Sequence, residues 1–189
     1  LALEISGGGT FDNTNNLTLN NSKSILHLGL PSISRVEINT VLTEGELNIS
    51  ADSTIASLSH TGTSRINLDA NTSLTLTNPV EIPSSQTMEM LGTGTGRTVN
   101  FPDALKLTGT LKISSENYTF SSGILELNGG LLDVAVNTDF NTSIVHLASS
   151  SISVQPQKTL NYGGNGLEID NFTLTLAGGG TIENTNNLI

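Results

Sequence analysis

Three histidines, His27, His60 and His146, are the first residues to test for chemistry, because imidazole binds metal ions and takes part in catalytic triads. Two of them lie between aliphatic residues, in Leu26-His27-Leu28 and Val145-His146-Leu147, so strand alternation predicts that both rings point outward. In a stacked repeat, the 119 residues between them correspond to about five coils, or ~24 Å. One metal ion cannot bridge that distance, and we expect solvent-exposed repeat positions instead.

Two glycine-rich segments could in principle bind ligands. The segment from Gly92 to Thr98, Gly-Thr-Gly-Thr-Gly-Arg-Thr, is similar to a phosphate-binding loop, but it lacks the Gly-Lys-Ser/Thr ending and no helix follows it. The segment from Gly7 to Asp12 is similar to a calcium-binding turn but lacks the Gly-x-Asp core. We expect a flexible loop at the first, and we predict no catalytic residue, no cofactor and no metal site in the chain.

The composition limits the partners. Seven Lys and Arg residues stand against 17 Asp and Glu residues, giving a net charge of −10 with no basic cluster, which argues against nucleic acid and anionic membrane surfaces. Only 13% of the residues are charged, about half the usual share of about 25%, so the surface is mainly hydroxyl and amide. There is no Cys, and no apolar run approaches the roughly 18 residues of a membrane helix, so we predict no direct membrane insertion.

Short patterns of two aliphatic residues around one polar residue recur along the whole chain, and each is typical of a half-buried strand. Gly, Asn, Ser and Thr separate them, and no helical period persists. The predicted strands are centred on residues 3–5, 17–19, 26–28, 36–38, 47–49, 66–68, 74–76, 105–107, 111–113, 125–127, 145–147, 167–169 and 174–176. With aromatic residues at 4% and no Trp, the core is expected to be aliphatic.

Internal repeats decide between the all-β architectures. Residues 3–17 return as residues 174–188, with ten identities in fifteen positions at a constant offset of 171. Residues 24–28 match residues 143–147 at an offset of 119, and a Gly-x-Leu-x-Ile-Ser unit joins residues 45–50 to residues 109–114. A closed sandwich has no reason to repeat its first strand at its end, whereas a solenoid does.

The sequence therefore predicts an all-β fold, a parallel β-solenoid of the right-handed β-helix type with about three short strands per coil. Coils of roughly 20 to 25 residues would give about eight coils and a rod near 40 Å long. We expect residues 1–189 to form a single solenoid segment, excised from a longer repetitive protein. Its unpaired end coils would be edges that the longer protein continues or caps, and they also permit self-association.

The units Leu125-Glu126-Leu127-Asn128-Gly129-Gly130 and Leu174-Thr175-Leu176-Ala177-Gly178-Gly179-Gly180-Thr181 resemble the Gly-x-Leu-x-Leu-x-Gly-Gly coils of bacterial autotransporter passengers and filamentous-haemagglutinin-like adhesins. This resemblance implies a non-catalytic structural or adhesive stalk that is extracellular or on the bacterial cell surface. The expected partner is a glycan, or a host or cell-surface protein, bound along one face.

A carbohydrate-active β-helix is the alternative, either a polysaccharide hydrolase or lyase or a phage tailspike. Asn137-Thr138-Asp139 resembles the Asn-Thr-Asp element of polygalacturonases, in which carboxylates on adjacent coils protonate the leaving oxygen and activate water. The rest of that pattern is missing, because there is no Asp-Asp pair, His60 lacks flanking glycines, and Arg65-Ile66-Asn67 precedes the triplet and lacks the final Lys.

Overall fold

A computed structural model describes residues 2–5, 10–12, 17–19, 24–28, 35–42, 44–60, 62–101, 103–163, 167–168 and 171–184. These residues contain strands, turns and bends and no helix. In chain order the strands are β1 (Ala2–Ile5), β2 (Thr10–Asp12), β3 (Leu17–Leu19), β4 (Ile25–Leu28), β5 (Arg35–Leu42), β6 (Glu46–Ile49), β7 (Ser53–His60), β8 (Thr63–Leu68), β9 (Ser73–Leu76), β10 (Val80–Ile82), β11 (Thr87–Gly92), β12 (Arg97–Asn100), β13 (Ala104–Leu107), β14 (Thr110–Ile113), β15 (Tyr118–Asn128), β16 (Leu131–Val134), β17 (Thr138–Ala148), β18 (Ser150–Val154), β19 (Thr159–Tyr162), β20 (Leu167–Glu168), β21 (Leu174–Ala177) and β22 (Thr181–Asn184).

The strands form two sheets in which every described pairing is parallel. The first sheet has nine strands in the order β1-β4-β6-β8-β11-β14-β16-β18-β21. The second has 13 strands, with the main path β2-β5-β7-β9-β12-β15-β17-β19-β22 and with β3, β10, β13 and β20 beside it. The chain passes through the two sheets alternately, and each pass adds the next parallel strand to a sheet. The fold is therefore the predicted parallel β-solenoid. It has about seven turns, close to the eight that were predicted; its hand stays a prediction.

The register gives the size of each coil. Ala2 pairs with Ile25, a step of 23 residues, Glu46 with Arg65, a step of 19, and Arg65 with Glu89, a step of 24. The second sheet contributes two segments per coil, as in β9 followed by β10 and in β12 followed by β13. In β15 and β17 the two segments join into single 11-residue strands, with a register shift between Ser121 and Ile124. Coil length and three segments per coil both follow the sequence prediction.

The core is a set of columns that run along the rod. Period-2 alternation turns every second side chain inward, and the parallel register places it on its equivalent in the next coil. One column crosses seven consecutive coils with every member buried: Leu26, Leu47, Ile66, Met90, Ile113, Val134 and Val154. Each such side chain contributes roughly 1.5 to 3 kcal/mol through burial. These columns belong to one hydrophobic cluster.

Of the three sequence repeats, two join residues at equivalent positions of the coils and one does not. The 171-residue repeat joins the first coil, with β1 and β2, to the last described coil, with β21 and β22, and the 45–50 and 109–114 repeat joins β6 to β14 of the same sheet. The 119-residue repeat is not a structural equivalence, because residues 25–28 lie in the first sheet and residues 144–147 in the second. Their inward positions are opposite, since Leu26 and Leu28 are buried in one and Ile144 and His146 in the other.

Candidate functional site

The polygalacturonase-like triplet lies at the start of β17. Thr138 is buried, and its hydroxyl donates to the Val136 carbonyl at 3.2 Å, whereas Asn137 and Asp139 are exposed. Asp139 Oδ1 accepts a hydrogen bond from Asn161 Nδ2 at 3.3 Å. The register places Thr119 and Asn161 on the coils that flank Asp139. Asp139 therefore has no carboxylate on either adjacent coil at its own position.

The histidines lie in different environments. As predicted, His27 points outward from β4. Its Nδ1 lies 3.4 Å from Asn48 Nδ2. The outward prediction for His146 is wrong, because the residue is only 3% exposed. Inward positions in β17 are set by Phe140, Thr142 and Ile144, so the next inward residue is His146.

His146 has an unusual position for an imidazole. It stands directly on Leu127 of the coil below, and neither ring nitrogen has a hydrogen-bond partner. Its ring meets Phe172 edge-on, with the centroids 6.0 Å apart. The side chain of His60 lies outside the described residues. In the part of the chain that the structure describes, no three His, Asp or Glu residues form a group that could hold a metal ion.

The glycine-rich segment 92–98 contains the end of β11, the turn of residues 93–96 and the start of β12. Gly94 and Gly96 have φ values of +79° and +72°, which few other residues adopt, and the Thr95 carbonyl accepts a hydrogen bond from Asn71 N at 2.8 Å. The turn is thus hydrogen-bonded to the coil beneath it. Of the calcium-like segment, Gly7, Gly8 and Gly9 lie outside the described residues.

Arg97, at the end of that turn, points into the solenoid and is 2% exposed. Its Cζ lies 4.6 Å from the centroid of the Tyr118 ring on the next coil, a cation–π contact. Its Nε and Nη1 have no hydrogen-bond partner. The Tyr118 hydroxyl donates to the Leu91 carbonyl, and burial raises the pKa of Tyr118 to about 12 against the opposing effect of the Arg97 charge.

Charged residues on the outer face of the first sheet form a ladder of alternating sign. The register places its five members on successive coils: Glu46, Arg65, Glu89, Lys112 and Asp133. Glu89 is the central member of the ladder. Its Oε2 lies 3.6 Å from Arg65 Nε and its Oε1 lies 3.0 Å from Lys112 Nζ, and Ser114 Oγ donates a hydrogen bond to Oε1 at 2.7 Å. Partial burial opposes its ionisation, but these hydrogen bonds and the two cations outweigh burial and lower the pKa of Glu89.

A second ladder lines a shallow groove on the second sheet. Glu81, Lys106 and Glu126 follow one another on three coils, and Lys106 Nζ lies 3.5 Å from Glu81 Oε1. The groove has a volume of about 390 Å³, and Pro79, Val80 and Ala104 complete its lining. The two carboxylates belong to strands about 10 Å apart, because one coil separates them. In the sequence, each of the three charged residues stands between two aliphatic residues, and successive members are 25 and 20 residues apart, about the length of one coil. That spacing is the sequence signal that could have identified this set.

Uncharged polar side chains form a third outer feature, which we name the polar column. It consists of five outward residues of the second sheet, paired from coil to coil: Thr54, Thr75, Asn100, Ser121 and Asn141. Asn100 Nδ2 donates to Thr75 Oγ1 at 3.4 Å, so neighbouring members also bind each other. The column offers hydroxyl and amide groups at a spacing of about 4.8 Å along the rod.

The described part of the chain has no helix that is long and apolar enough to cross a membrane. No protein-family model matches this chain, and neither does any curated protein or solved structure.

Proposed function

We propose that this chain is a non-catalytic structural and adhesive stalk segment of a bacterial cell-surface or secreted protein. The observation that carries the proposal is the polar column, a row of hydroxyl and amide groups that continues from coil to coil over five strands. Such groups donate and accept hydrogen bonds, and they can bind the hydroxyls of a glycan or the backbone of a protein over a broad, shallow surface.

The core supports the stalk part of the proposal. The buried column from Leu26 to Val154 runs without a break across seven coils, so each of these coils is fixed by its neighbours and the rod resists bending. Nine strands at about 4.8 Å span roughly 40 Å, which is the reach that this segment contributes. The resemblance of residues 125–130 and 174–181 to autotransporter and haemagglutinin coils agrees with this role.

A glycan array and a cell-binding assay with the labelled full chain test the adhesive part. The test variant carries Thr75→Lys and Asn141→Lys, which place two long cations on the polar column. The control carries Thr63→Lys and Thr110→Lys, which add the same charge to the outer face of the first sheet. We expect the first variant to lose at least about tenfold in binding while the control keeps it. Equal binding by both variants, or no binding by the unmodified chain, would contradict the proposed function.

The groove beside Glu81, Lys106 and Glu126 favours a second candidate function, hydrolysis of a polysaccharide. Inverting glycosidases hold their two carboxyl groups about 6.5 to 9.5 Å apart, with room for a water molecule. The strands of Glu81 and Glu126 lie about 10 Å apart, so the two side chains must lean toward each other to reach that range. Reducing-sugar release from a panel of polysaccharides tests it, with Glu126→Gln as the variant and Glu116→Gln as the control, because Glu116 pairs with Lys158 and lies outside the groove. Release that Glu126→Gln abolishes and Glu116→Gln keeps would establish this function; no release by the unmodified chain would reject it.

A further inference from the structure

The polar column has a second column of uncharged residues beside it. Ser73, Thr98 and Thr119 pair with one another from coil to coil, and each stands two residues before a member of the polar column on the same strand. We call the two columns together the polar array. On each of these three strands the array offers two uncharged polar side chains, which lie about 6.6 Å apart along the strand.

The hydroxyls at the centre of the array are available to a ligand. Thr98 and Thr119 are outward and half-buried, and within the described part of the chain neither hydroxyl has a hydrogen-bond partner. Thr75 accepts a hydrogen bond from Asn100, and its own hydroxyl hydrogen can still be donated. The centre of the array therefore offers both donors and acceptors.

The charges around the array determine which ligands it accepts. At one end Ser73 Oγ donates to Asp52 Oδ1 at 2.9 Å, and at the other end Thr119 pairs with Asp139 on the next coil. An anionic ligand that lay along the array would meet a carboxylate at each end, on a chain with a net charge of −10. The two charged ladders lie on other outer surfaces of the rod, so the array is the face that suits an uncharged ligand.

The spacing of the array suits an extended polymer. Equivalent groups repeat along the rod about every 4.8 Å, and an extended β-1,4-linked glycan advances by one sugar residue over about the same distance. One sugar can therefore lie over each coil, with its two edges against the two columns. No member of the array is aromatic, so each sugar is held by hydrogen bonds that replace hydrogen bonds with water, and the affinity must accumulate over several coils.

We infer that the polar array binds an extended, uncharged polysaccharide chain that lies along the rod with one sugar residue per coil. This inference rests on the proposed adhesive function and specifies its ligand. The polar column continues over five strands, so the contacts accumulate over about five sugars.

Titration of the full chain with cello-oligosaccharides of two to six sugars, followed by NMR, tests the dependence on chain length. Affinity should rise severalfold with each added sugar and level off at about five, because a sixth sugar lies beyond the array. Malto-oligosaccharides of the same lengths have a curved, α-linked chain and should gain little beyond three sugars. Oligoglucuronates with the cellulose linkage, which carry one carboxylate per sugar, should bind at least about tenfold more weakly.

A pair of matched variants locates the binding face. Thr98→Val with Thr119→Val removes two hydroxyls from the array and keeps the shape of both side chains. The control, Thr87→Val with Thr110→Val, removes two hydroxyls from paired outward positions of the first sheet. The array variant should bind the five-sugar ligand about tenfold more weakly, whereas the control should bind as the unmodified chain does. Circular dichroism checks that both variants are folded.

The outcomes separate this inference from the adhesive function. Equal affinity for two and five sugars, equal binding of the cello- and malto-oligosaccharides, or equal losses in the two variants would each overturn the inference. Attachment to cells or proteins that needs the polar column, without binding of these oligosaccharides, would overturn it and leave the adhesive function in place. Absence of binding to any glycan, protein or cell would overturn both.

Discussion

The phenyl rings of Phe120 and Phe140 lie face to face on successive coils, with their centroids 4.3 Å apart and their planes inclined by 5°. Both side chains are buried, and Phe101 lies at 6.5 Å from Phe120 in a tilted arrangement. The parallel register produces this stack, because Phe120 and Phe140 are direct partners. Although the chain is poor in aromatic residues, five of the six whose side chains the structure describes are buried in the core.

Shortening Phe140 should therefore be costly. Phe140→Ala removes the ring from a closed column and is expected to lower the free energy of unfolding by about 3 to 5 kcal/mol, and Phe140→Leu by less. Urea unfolding followed by circular dichroism measures both. Asn141→Ala, at the exposed neighbouring position, should stay within about 0.5 kcal/mol. Similar losses for Phe140→Ala and Asn141→Ala would mean that the stack adds little.

The fold was predictable because inward aliphatic residues recur at every coil, and the 171-residue repeat identified a solenoid. Which residues of each strand point into the core was less predictable. Val145-His146-Leu147 has two aliphatic residues around a polar one, which predicts an outward histidine, but the parity of β17 is set upstream by Phe140 and Ile144. The groove at Glu81 escaped prediction for a related reason, since it exists only through the register between coils.

Ionisation of the Tyr118 phenol should lower the free energy of unfolding at alkaline pH. Burial raises the pKa of Tyr118 to about 12, while an unfolded tyrosine ionises near 10. Above pH 10 the unfolded chain loses the proton that the folded chain keeps, so stability falls as pH rises from about 10 to 12, by about 2 kcal/mol. Below pH 10 the effect vanishes. Unfolding free energies at pH 9 and 11 should differ less in Tyr118→Phe than in the unmodified chain; an equal difference would place the titration elsewhere.

Gly123 is expected to tolerate no side chain. It has a φ of +66°, and a Cβ there would lie 2.1 Å from the Phe101 carbonyl oxygen and 2.3 Å from that of Asp103. Gly129 is a matched control, with a φ of +91° and no atom within 4 Å of an added Cβ. Gly129→Ala should cost about 1 kcal/mol from backbone strain alone, and Gly123→Ala clearly more, by thermal unfolding. Equal costs would show that the neighbouring coil gives way at Gly123.

Arg97 should be replaceable by an apolar residue of similar length. Two of its nitrogens are buried without partners, which costs about 1 to 3 kcal/mol, against about 2 kcal/mol from the cation–π contact with Tyr118. Arg97→Met keeps the packing and removes the buried charge, so we expect the free energy of unfolding to rise by about 1 kcal/mol. Arg97→Ala should lower it by leaving a cavity. A loss in both variants would show that the guanidinium stabilises the fold.

The buried histidine leads to the last prediction. His146 stands in a column on Leu127, and both of its ring nitrogens lack partners, so the imidazole bears the cost of lost hydration without a compensating hydrogen bond. His146→Leu should raise the free energy of unfolding by about 1 kcal/mol at neutral pH, because leucine matches the column and needs no partner. His27→Leu is the control, an outward histidine whose replacement should change stability by less than about 0.5 kcal/mol. Destabilisation by His146→Leu alone would mean that the edge-on contact with Phe172 outweighs the unpaired nitrogens.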